Sequence, residues 1–77
     1  MANLMEQEIA GLKKDVMALR DEVRLKIHLA NMDLKTEWEK LEPRVEKMWG
    51  EVSDATIKAG QEMKKRFQEI REQLKKN

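Results

Sequence analysis

Residues 34–52 read LKTEWEKLEPRVEKMWGEV. Their apolar side chains fall at Leu34, Trp38, Leu41, Val45, Met48 and Val52, with gaps of three and four that run straight through Pro43 and Gly50. That spacing is the signature of one helix face turned toward a partner. Working outward in both directions, the pattern extends into three columns with a step of 11 residues. One column holds Leu12, Val23, Leu34, Val45, Thr56 and Phe67; a second holds Met5, Val16, Ile27, Trp38, Trp49 and Gly60. The third holds Leu19, Ala30, Leu41, Val52, Met63 and Leu74, so only Thr56 and Gly60 interrupt the scheme. Eleven residues make three turns at about 3.67 residues per turn, which keeps each column on one face over a long distance.

The expected fold class is therefore all-α: long amphipathic helices with an 11-residue or heptad apolar repeat, forming an oligomeric coiled coil or extended helical bundle. Residues 1–77 read as a single unit. Breaks or kinks are expected near residues 31–33, where Asn31 and Asp33 offer caps and Thr36 with Glu39 forms a rival capping box. Pro43, which lacks an amide proton, marks another, as does the segment 50–53, where Gly50 resembles a helix-ending glycine and Ser53 a new cap. A loop ordinarily resets the phase of an apolar stripe. Since the stripe keeps its phase, the sequence favours one continuous helix over a fold-back hairpin.

Composition narrows the function. Charged residues make up 40 % and aromatics 4 % of the chain, thin material for a core in 77 residues, so self-association is the expected remedy. The interface would comprise Val16, Leu19, Val23, Ile27, Leu34, Trp38, Leu41, Val45, Trp49, Val52, Met63, Phe67 and Leu74. Between Val23 and Leu34 the opposite face is also apolar, through Leu25, Leu29 and Met32. A helix apolar on two faces is expected to be buried on both, in a bundle of three or more helices.

Charge suggests an orientation. Residues 1–22 hold three cations and five carboxylates, net −2, whereas residues 58–77 hold seven cations and three carboxylates, net +4. The gradient suits the helix macrodipole and favours antiparallel pairing between copies. Favourable i, i+4 pairs are expected at Glu22–Lys26, Asp54–Lys58, Glu62–Arg66 and Glu72–Lys76.

Little chemistry is expected. His28 stands alone, without a carboxylate three or four residues away to orient it as a base or ligand. The chain has no cysteine and therefore no disulfide or thiolate metal site. With no phosphate loop and no nucleophile–base pair, the expectation is a protein without catalysis, cofactor or metal. No signal-peptide core or apolar run of spanning length is present, which suits a cytoplasmic protein.

Two alternatives draw on resemblance. Residues 23–29, VRLKIHL, alternate strictly between apolar and polar, a strand pattern. A basic strand followed by two helices resembles the ribbon-helix-helix DNA-binding family over residues 23–70. That resemblance implies Arg24, Lys26 and His28 as side chains reading the major groove. A helical segment ahead of the strand, Pro43 inside the first helix and a negligible basic excess depart from the pattern, so nucleic acid ranks low. The eleven-residue repeat also resembles apolipoprotein-like lipid binders. The stripe here is narrower than the arc of 100° or more usual for a surface-lying helix, so membrane ranks low as well. A heterologous protein partner is the remaining possibility.

Overall fold

A computed structural model describes residues 4–76. The chain is all-helical, with α1 over Leu4–Lys26, a 3-10 turn over Ile27–Leu29, α2 over Met32–Lys47 and α3 over Asp54–Lys76. Its extents of 45 × 19 × 16 Å rule out the continuous helix favoured above, because a single helix of that length would span about 110 Å.

Local chemistry explains where the chain turns. Asn31 is the N-cap of α2: its backbone is extended, and its side-chain oxygen accepts a hydrogen bond from the Leu34 N–H at 2.9 Å. Asn31 thereby prevails over Thr36, which lies inside α2 and donates its hydroxyl to the Met32 carbonyl. At the second turn, the Ser53 hydroxyl accepts from the Thr56 N–H at 3.3 Å and opens α3. Gly50 adopts no left-handed conformation, so α2 ends without a glycine cap, at Met48. Pro43 does not break α2 either. It is exposed, so the carbonyl its missing N–H would have bonded is open to water.

Ion pairs across the helices give the topology. Lys64 meets Asp15 at 3.0 Å and Arg71 meets Glu22 at 3.4 Å, both 49 residues apart, so α1 and α3 run parallel. Arg20 with Glu46 and Arg24 with Glu42 step in opposite directions, so α2 runs antiparallel to α1. The result is an up-down-up three-helix bundle. α1 and α3 make the closest backbone approach. α2 stands further off, and large side chains fill the gap, among them Trp38 packed on Phe67 with ring centroids 4.8 Å apart. The acidic start and basic end of the chain thus complement each other within one molecule, side by side and parallel.

The strand reading of residues 23–29 fails. Val23–Lys26 complete α1 and Ile27–Leu29 form the 3-10 turn, with no strand anywhere among the described residues. Alternation over seven residues was too short a signal against a helix already sixteen or more residues long, whose core face includes Val16, Leu19 and Val23.

Candidate interaction surface

The seam read from the sequence lies inside a single chain. Val16, Leu19, Val23, Leu34, Trp38, Val45, Met63 and Phe67 are buried together, and Ile27, Leu41, Trp49 and Leu74 pack against them while partly exposed. Val52 departs from the group at 51 % exposure, because it falls in the turn before α3. Two positions that interrupt the columns prove to be inside as well. Thr56 is buried, its hydroxyl 3.1 Å from that of Ser53. Gly60 lies so close to the Trp49 ring that an added Cβ would come within 3.2 Å of it. Ile9 and Ile70 are buried too, although neither belongs to a column; each sits one helical step from a column residue and widens the stripe.

The second face behaves differently. Leu25, Leu29 and Met32 are 76, 68 and 74 % exposed. They occupy the end of α1, the 3-10 turn and the first residue of α2, which together form one corner of the bundle. Their burial on both faces, expected from the sequence, does not occur within one chain. The corner exists because Ile27 and Ala30 are the residues of this turn drawn inward. With those two closing the end of the core, Leu25, Leu29 and Met32 are left outside. Leu25 also lines a groove with Leu74, bordered by Glu22, Lys26, Arg71 and Lys75.

Elsewhere the surface is polar and cross-linked. Arg24 donates two hydrogen bonds to Glu42 at 3.0 and 3.1 Å, a bidentate arrangement. Those bonds hold the Glu42 carboxyl below the ordinary carboxylate range, against the opposing effect of partial burial, with the Trp38 indole adding to the depression. The same bonds raise Arg24 above its usual value. Glu22 pairs with Arg71 instead of Lys26, and Arg66 reaches Glu37 and Glu69. At Glu22 a helix-to-helix contact takes the place of the local pair, because parallel α1 and α3 bring opposite charges into register; Arg66 keeps a local partner in Glu69 and Lys75 one in Glu72.

The α2–α3 side offers a second opening over Leu41, Met48, Ala59 and Met63, rimmed by Arg44, Glu62 and Arg66. Its apolar floor is the edge of the core itself. Among the described residues, no group of three His, Cys, Asp or Glu side chains could hold a metal ion. His28 and Lys26 are exposed at the corner, and no helix among the described residues is long and apolar enough to cross a membrane. Comparisons with family models, curated proteins and solved structures find no match to this chain.

Proposed function

We propose that this protein is a non-catalytic attachment module, complete as a bundle in one chain, that meets another body through the Leu25–Leu29–Met32 corner. The observation that carries the reading is the contrast between a closed core and three large apolar side chains left outside on one turn. Burying a leucine or methionine is worth about 1.5–3 kcal/mol, so three such side chains hold a stabilisation that the chain alone does not collect. Clustered exposed apolar side chains of this kind mark contact surfaces.

The reading moves the contact away from the seam. A second chain gains nothing from Val16, Trp38 or Phe67 while these are covered. Self-association through them would require the bundle to open and exchange helices between copies.

The test is a triple variant, Leu25→Gln with Leu29→Gln and Met32→Gln, which keeps helix propensity while removing the apolar surface. Urea unfolding should give a stability within about 1 kcal/mol of the parent, since exposed substitutions have small effects. A loss of several kcal/mol would show that the corner serves the fold, and the attachment reading would fall.

A further inference from the structure

One end of the bundle gathers the close of α1, the 3-10 turn, the start of α2 and the close of α3. The Glu22–Arg71 pair and the groove shared by Leu25 and Leu74 place these segments together. Within residues 22–35 and 71–76 lie Arg24, Lys26, Lys35, Arg71, Lys75 and Lys76 against Glu22, Asp33 and Glu72, net +3. The opposite end, residues 4–12 and 47–58, holds Lys47 and Lys58 against Glu6, Glu8, Glu51 and Asp54, net −2. The bundle is thus electrically polarised along its 45 Å axis, and the exposed apolar corner sits at the cationic pole.

We propose that this corner docks tip-first onto an anionic lipid surface, with Leu25, Leu29 and Met32 entering the headgroup region and the surrounding lysines meeting lipid phosphates and carboxylates. The inference rests on the attachment reading and names its partner. Two observations and a general property of lipid surfaces select lipid. Two copies meeting corner to corner would set +3 against +3. A copy stacked head to tail would satisfy the charges, but the acidic pole offers only Leu4 and Val52 as exposed large apolar side chains to set against the corner's three. A lipid surface asks for no matching relief: a few inserted side chains and nearby cations suffice, and lysine stems can lie along the apolar boundary with their charges in water.

The rest of the molecule fits that orientation. Its sides carry the Asp15–Lys64, Arg20–Glu46 and Arg24–Glu42 pairs, and the apolar opening over Leu41, Met48, Ala59 and Met63 is rimmed by Arg44, Glu62 and Arg66. The other exposed large side chains, Leu4 and Val52, belong to the acidic pole, which an anionic surface repels.

The chain has no cysteine, so a single Leu29→Cys change accepts an environment-sensitive dye at one place, and Gln7→Cys gives the control at the other pole. The probe is a vesicle of phosphatidylcholine, with or without phosphatidylserine. The dye at position 29 should brighten and shift to the blue only with phosphatidylserine present, and the dye at position 7 should not respond. Co-flotation of the unlabelled chain should fall steeply with added salt. It should weaken about fivefold for each of Lys26→Gln and Lys75→Gln, the ratio equivalent to about 1 kcal/mol per cation near such a surface. The triple glutamine variant should not float.

Failure of the folded parent chain to bind phosphatidylserine vesicles would overturn the lipid assignment. Equal response of the two dyes would overturn it too, as would a dye at position 29 that is shielded without vesicles in step with a doubled mass. If the triple variant is also as stable as the parent, the attachment reading survives that result; if it unfolds, both readings fall together.

Discussion

Phe67→Ala tests the architecture most directly. Phe67 is fully buried on α3 and packs on Trp38 of α2 with ring centroids 4.8 Å apart, bridging the two helices. Truncation removes the ring and leaves a cavity lined by both helices. Changes of this kind cost about 3–5 kcal/mol, with the lost aromatic pair as part of that sum. At about 0.05–0.15 kcal/mol per residue, a domain of this size has roughly 4–12 kcal/mol in total. The variant should therefore retain little of its stability or unfold outright. Urea melts followed by circular dichroism, run at two protein concentrations a hundredfold apart, measure the loss and the molecularity together. The core lies within one chain, so the parent's midpoint should not depend on concentration. A midpoint that rises with concentration would place the seam between chains. A loss below about 1 kcal/mol would mean that Phe67 is not the filling of the gap.

Two further predictions concern helix glycines and acid. Gly11→Ala should stabilise by about 0.5–1 kcal/mol, because an added Cβ there meets nothing within 4 Å and alanine is the better helix former. Gly60→Ala should fail to deliver that gain, since its Cβ would press on Trp49 and on Leu12 at 3.3 Å; equal gains in thermal melts of the two variants would refute the close approach. As for acid, the Glu42 carboxyl is depressed in the folded state, so its pairing with Arg24 stabilises above the ordinary glutamate range. That contribution is lost as pH falls through the lowered folded value. It is small, because the Arg24 side chain is half-exposed and solvent screens the pair. Glu42→Gln should flatten the acid limb of a stability-against-pH curve, and an unchanged limb would remove Glu42 from the account.

The helical class is legible in spacing alone, and so is the apolar face: Val16, Leu19, Val23, Leu34, Trp38, Val45, Met63 and Phe67, which the spacing assigns to an interface between copies, are buried together within one chain. The same spacing misled on chain path. Apolar phase runs unbroken from Ile27 through Ala30 to Leu34 because the turn must itself close the end of the core. Burial is continuous there although the backbone reverses. The local signals at Asn31 and Ser53 were the better guide, since a side chain bonded to a backbone N–H fixes a helix start whatever the stripe does. Gly60 holds a place in the second column directly after Trp49, but a missing side chain carries no hydrophobic signal, and the Trp49 ring beside it explains why nothing larger stands there. The exposure of Leu25, Leu29 and Met32 was equally hidden. Composition shows that a face is apolar, not whether anything covers it.

The parallel pairing of α1 with α3 bears on how the chain is made. Partners 49 residues apart are synthesised far from one another, so α1 leaves the ribosome well before the helix it packs against most closely. Until α3 follows, Val16, Leu19 and Val23 have only the more distant α2 to cover them. Small helical domains usually fold quickly because their contacts are local; here the decisive contacts are among the least local the chain can make. Closing the core therefore waits until α3 has been made, and a nascent chain halted between α2 and α3 presents an open apolar trough to chaperones and proteases.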